Sequence, residues 1–96
     1  MLVVVSYDVE TTNQAGRRRL RRIARLCEDY GQRVQNSVFE CRVDPTQWRE
    51  LQLDLIEEMN FKTDSIRFYY LGRNYDRRIE SHGVKQPPDL SKPLIL

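Results

Sequence analysis

One carboxylate and a run of guanidinium groups stand near each other at the start of the chain. Asp8 ends the segment Leu2-Val3-Val4-Val5-Ser6-Tyr7-Asp8, and a polar stretch separates it from Arg17, Arg18, Arg19, Arg21, Arg22 and Arg25. A carboxylate can hold a hard divalent cation, which prefers oxygen ligands. Guanidinium groups match phosphate oxygens because their donors form a planar fork. The combination points to nucleic acid, with phosphodiester hydrolysis as the chemistry that a metal held at Asp8 would support. Alone, Asp8 reads as a loop or capping aspartate.

Magnesium keeps several of its waters, so one or two carboxylates suffice to hold it, and manganese can take its place. One Asp8 per chain is thin for hydrolysis, but a symmetric dimer brings two copies to one site. The Tyr7 carbonyl and the Ser6 hydroxyl are further candidate ligands, and the sequence does not choose between them. Two carboxylates brought close can also share a proton, which gives a pH-sensitive interface without catalysis. His82 is the one histidine of the chain, and it reads as a tail or edge-strand residue rather than a general base. Glu10 reads as a solvated loop carboxylate.

The arginines must be placed by a helix. From about Gln14 to Tyr30 the apolar residues Leu20, Ile23, Ala24, Cys27 and Tyr30 share one face at about 100° per residue, with Leu26 at its edge. Arg18, Arg21, Arg22 and Arg25 fall on the opposite face. Solvated faces normally mix signs, whereas here only Asp29 stands nearby. The stripe, with Arg17 at its start, is expected to bind phosphates with little sequence readout, and Arg33, Arg77 and Arg78 are candidates to extend it.

Composition bounds the rest. The chain has 96 residues, 31% of them charged, and a net charge of +2, so one small domain is expected and the distribution of charge says more than its sum. Basic residues gather in the first helix, while Glu50, Asp54, Glu57 and Glu58 gather in a second. Cys27 and Cys41 show no metal-ligand spacing and read as small buried thiols. No apolar run approaches the ~18 residues of a membrane span, and the first strand lacks the flank of a signal peptide. A soluble cytoplasmic protein is expected.

The order of elements is strand, helix, strand, strand, helix, strand. Residues 2–8 form a strand apolar on both faces, suited to a central position. Thr11, Thr12 and Asn13 offer caps for the first helix, and Gly31 stops it. Residues 32–43 contain two strands meeting near Asn36-Ser37, with Phe39, Cys41 and Val43 on one face of the second. Asp44-Pro45-Thr46-Gln47 opens a helix to about Asn60 that buries Trp48, Leu51, Leu55, Ile56 and Met59. Residues 65–71 form the last strand, ended by Gly72. The spacing fits an α+β, ferredoxin-like fold over residues 1–72, two crossover units sharing one antiparallel sheet with both helices on one face.

Residues 73–96 are left over. Residues 77–82 read as an extra C-terminal strand, followed by a tail with Pro87-Pro88, Pro93 and Leu94-Ile95-Leu96. Val38, Tyr69 and Leu71 keep the helix-free face partly apolar, which favours a second copy packed sheet against sheet. Tyr69, Leu71, Arg77 and Ile79 are the expected dimer or edge residues. Tyr69 and Tyr70 point to opposite faces, so at most one of them is free to stack on a base.

The chain resembles the small CRISPR-associated protein of spacer acquisition, the second of the two core adaptation proteins, a family also described as CRISPR-associated endoribonucleases. The residues that carry the likeness are Tyr7-Asp8, Ala15-Gly16-Arg17-Arg18-Arg19-Leu20-Arg21, Tyr30 to Glu40 with its Val34-Gln35-Asn36-Ser37-Val38-Phe39-Glu40 segment, and Ser65 to Gly72. The resemblance implies a ferredoxin-like homodimer whose last strand crosses to the partner protomer. It implies a pair of Asp8 residues at the two-fold axis holding magnesium. It further implies a complex with the CRISPR integrase, in which the dimer bridges two integrase dimers and supports a DNA duplex. Some members are described as nucleases acting on RNA or DNA. A purely structural DNA-binding scaffold and a toxin-like ribonuclease of similar fold stand beside that reading.

Overall fold

The computed structural model describes residues 1–83. Its elements are β1 (Leu2–Asp8), α1 (Gln14–Tyr30), β2 (Gly31–Gln35), β3 (Val38–Arg42), α2 (Pro45–Glu58) and β4 (Ser65–Gly72), with a single 3-10 turn at Tyr75–Arg77. The four strands form one sheet in the order β2-β3-β1-β4, every neighbouring pair antiparallel. The fold is thus the expected ferredoxin-like arrangement, with β1 at the interior of the sheet.

Alternation decides which side of β1 carries which chemistry. Val3, Val5 and Tyr7 join the core with Phe39, Cys41 and Val43 of the β3 side and with Ile23, Cys27, Trp48, Leu51 and Leu55 of the helices. Leu2, Val4, Ser6 and Asp8 alternate with them on the helix-free face. Trp48 anchors α2 by edge-on contacts with Phe68 and Tyr70, ring centroids 4.8 and 5.7 Å away. That places Tyr70 toward the helices and leaves Tyr69 on the helix-free face, across the ladder from Val4.

Local chemistry sets the helix starts. Asn13 caps α1, its side-chain oxygen accepting from the Gly16 N–H at 2.8 Å. Asp44 and Gln47 cap α2 reciprocally, through bonds of 2.7 and 3.0 Å, with proline in the first turn. This is the capping box read in Asp44-Pro45-Thr46-Gln47.

Gly31 ends α1 as expected, in an extended conformation that begins β2 directly. Its lack of a side chain serves close approach, because a Cβ there would strike the Glu40 carbonyl oxygen and the Cys41 sulfur of β3. Ile56 is not core: it is 38% exposed, next to the exposed Leu53, because α2 buries only the narrow stripe of Trp48, Leu51 and Leu55. Residues 77–82, expected as a strand on a partner protomer's sheet, pair with no strand of their own chain. Gly72 takes a left-handed φ of 74° and turns the chain out of β4. The 3-10 turn takes Arg77, and the Arg78 guanidinium donates to the Leu71 carbonyl at 3.0 Å. Ile79 is half-buried outside any ladder. The proline-containing tail and its expected path to a partner lie outside the described residues.

Candidate nucleic-acid site

Asp8 is the last residue of β1, exposed, and opposite Ser65 of β4 in the ladder. Its neighbour Tyr7 faces the other way, stacked against Phe39 at 6.2 Å, with its hydroxyl donating to the Asn36 carbonyl at 3.4 Å. Burial pushes the Tyr7 phenol up to about 12, so it is neutral at ordinary pH and does not serve as a base. Among the described residues no group of three or more acidic, histidine or cysteine side chains gathers at any point. From one chain, therefore, Asp8 and at most one further such group are available to a metal. A hydrated magnesium ion is compatible with so few protein ligands.

The arginines of α1 divide into two sets. Arg18, Arg21 and Arg25 are exposed and have no carboxylate or hydrogen-bond partner among the described residues. They are spaced three and four positions apart and so lie along one line of the helix. The others are engaged. Arg17 donates to the Thr11 carbonyl at 3.3 Å, and Arg22 pairs with Glu58 of α2. Arg33, beyond the helix, pairs with Glu28 at 3.1 Å and lies 5.1 Å over the Phe39 ring. His82 pairs with Glu80 at 3.2 Å in an exposed segment. Arg77 is exposed.

Arg19 is engaged most fully, and its partner is a residue that sequence reasoning missed. Asp64, just before β4, has a fully buried side chain. Its carboxylate accepts two bonds from Arg19, Nε at 2.9 Å and Nη2 at 3.3 Å. It also accepts the Thr63 hydroxyl at 3.0 Å and the backbone N–H groups of Asn60 at 2.9 Å and Glu10 at 3.1 Å. Burial alone would raise this carboxyl, but the bonds from Arg19, Asn60, Glu10 and Thr63 outweigh it and hold it at about 2. The available signal was helical spacing: Arg19 lies four residues before Ile23, on the flank of the buried stripe, and differs in that from Arg18.

Glu10 is the remaining neighbour of Asp8. Its side chain accepts from the Thr12 hydroxyl at 2.9 Å in an exposed position. No described helix is long and apolar enough to cross a membrane.

Comparison with known proteins agrees with this architecture. Residues 1–79 match the family model described as CRISPR associated protein Cas2. The chain is 60% identical over 96 residues to the CRISPR-associated endoribonuclease Cas2 of Chlorobaculum tepidum, with all of both chains covered. It is 50% identical over 95 residues to the CRISPR-associated endonuclease Cas2 of Halalkalibacterium halodurans, covering 99% of each. Among solved structures it is similar to Streptococcus pyogenes Cas2, with a TM-score of 0.76 and 57% identity over 86% of this chain and all of that one.

Proposed function

Because this chain belongs to the Cas2 family of CRISPR-associated proteins, we propose that it is a homodimeric, nucleic-acid-binding protein of spacer acquisition with metal-dependent endonuclease activity. The observation that carries the reading is the exposed Asp8 carboxylate at the end of the interior strand, on the sheet face that no helix covers. Two such faces packed about a two-fold axis bring two Asp8 residues into one site. Val38, Leu71 and Tyr69 supply the partly apolar surface that such packing buries. The names of the relatives, endoribonuclease in one case and endonuclease in another, agree with phosphodiester hydrolysis and leave both RNA and duplex DNA as substrates to be tried.

In this mechanism the two Asp8 carboxylates would hold a magnesium ion, with the Tyr7 carbonyl and Ser6 hydroxyl as further candidate ligands. When bound, such an ion would supply an activated water and charge neutralisation at the scissile phosphate. Arg18, Arg21 and Arg25 hold the backbone of the substrate by its phosphates, without reading its bases. In spacer acquisition the same arginines, doubled by the dimer, carry a DNA duplex between two integrase dimers.

A second reading, a duplex-carrying scaffold without catalysis, is favoured by one observation. The Tyr7 side chain beside Asp8 in the chain is turned into the core, where its hydroxyl donates to the Asn36 carbonyl, so it takes no part in proton transfer at Asp8. The two readings separate on one experiment: cleavage of single-stranded RNA and double-stranded DNA by wild type and Asp8→Ala, with magnesium and with chelator. Loss of cleavage in the variant and with chelator is expected. A wild-type dimer that binds duplex yet cuts neither substrate leaves the scaffold.

A further inference from the structure

The Asp64 cluster sits beside the Asp8 strand end and has no part in the mechanism above. Resting on that reading of Asp8, we propose that Asp64 is a positioning residue for it, with Arg19 as its counterion and Gly16 as the second jaw of a clamp on the Glu10 main chain.

The chain approaches Asp8 from two sides, and Asp64 holds both. On one side, Glu10 lies two residues beyond Asp8, and its N–H donates to Asp64 Oδ1 at 3.1 Å. On the other, Ser65 follows Asp64 in the chain and is the ladder partner of Asp8. The carbonyl of the same residue, which belongs to the next peptide unit, is also confined. The Glu10 carbonyl lies so close to Gly16 of α1 that a Cβ there would collide with its oxygen. The N–H is thus drawn toward Asp64 while the carbonyl rests against the first turn of α1. With Asn60 donating to Oδ2 at 2.9 Å and Arg19 bridging both oxygens, one carboxylate ties together the β1–α1 loop, α1 and the α2–β4 loop.

Two donor groups of Arg19 are spent on this carboxylate, so its role differs from that of Arg18. A phosphate contact made by Arg18 contributes to affinity and to salt dependence. Arg19 acts on the reaction through the geometry of Asp8, where a displacement of about 1 Å can slow a step by about a hundredfold. The cluster therefore affects turnover rather than binding.

The test uses the full-length dimer and the variants Asp64→Asn and Arg19→Lys, the second keeping the ion pair through a single donor nitrogen in case the first folds poorly. Amide hydrogen exchange at Glu10 and the Cα chemical shift of Asp8 report the clamp by NMR. Initial rates on a single-stranded RNA and a duplex DNA, with magnesium, give kcat and KM, and duplex affinity is followed against salt. Faster exchange at Glu10, a shifted Asp8 Cα and a kcat lower by about ten- to a hundredfold, with KM and salt slope unchanged, are expected. A loosened Glu10 amide with an unchanged kcat would overturn the proposal. So would a shallower salt slope for Arg19→Lys, which would make Arg19 a phosphate ligand. If the wild type cuts neither substrate, it is the catalytic reading of Asp8 that fails. Positioning is then decided by the Asp8 Cα shift alone: movement supports it and constancy overturns it.

Discussion

Arg18 and Arg19 are adjacent in the chain and opposite in circumstance. Arg18 belongs to a line of exposed guanidinium groups, with Arg21 and Arg25, that has no partner among the described residues. Arg19, about 100° further round the helix, is bonded to a carboxylate whose side chain is fully buried. One helix thus presents free charge to solvent on one side and spends charge on its own fold on the other. The lesson is that a run of like residues is not one feature. Rotation about the helix axis sorts it into a binding surface and a piece of internal structure.

The largest effect should come from breaking the buried side. Asp64→Ala leaves Arg19 and two backbone N–H groups without their acceptor, and removing one partner of a buried pair costs about 3 kcal/mol or more. Urea unfolding followed by circular dichroism should show it, with Arg19→Ala shifted in the same direction. A smaller effect of the same origin should appear with pH. The Asp64 carboxyl is held at about 2 in the folded chain, below the unfolded value of about 3.9. Its stabilisation, about 2 kcal/mol, is therefore complete above roughly pH 5 and fades as the pH falls through the folded value. Asp64→Asn should lack this acid-side loss in a series of unfolding curves.

The exposed side should respond in binding instead. Replacing Arg18, Arg21 and Arg25 by alanine together should flatten the dependence of log affinity on log salt by about 0.9 for each phosphate that is no longer neutralised. Folding stability should stay within about 0.5 kcal/mol of wild type. An unchanged slope in a fluorescence titration would remove these residues from the nucleic-acid surface. Arg22 stands between the two cases, paired with Glu58 but more than half exposed. Arg22→Ala should cost only about 0.5 kcal/mol in the same urea experiment, since a solvent-screened pair contributes little.

Much of the fold was legible because its signals are periodic or local. Phe39, Cys41 and Val43 announced their buried face by alternation, residues 2–8 announced a central strand by being apolar on both faces, and Asp44-Pro45-Thr46-Gln47 announced α2 through its caps. What was not legible depended on contacts distant in sequence. Asp64 is 45 positions from Arg19, and nothing around it separates a buried acceptor from an ordinary turn aspartate. Ile56 kept helical spacing with the core residues of α2, yet the sheet has no surface to cover it. Residues 77–82 hold one apolar residue, Ile79, so no alternation fixes their pairing, and Gly72 turns this segment away from β4 of its own chain. At the candidate site, Asp8 could be located from its strand, whereas the division of the arginines required the second helix and the α2–β4 loop.

The two buried cysteines have a practical consequence. Cys27 of α1 and Cys41 of β3 are fully covered, and burial pushes their thiols up to about 12 and about 11. A thiol in that state is shielded and scarcely ionised, so an alkylating reagent has to wait for the helix to part from the sheet. The rate of labelling in native buffer consequently reports how often this happens, residue by residue by mass spectrometry. The wild-type chain thus carries its own probe of transient opening, and no dye or added cysteine is needed to compare the variants above.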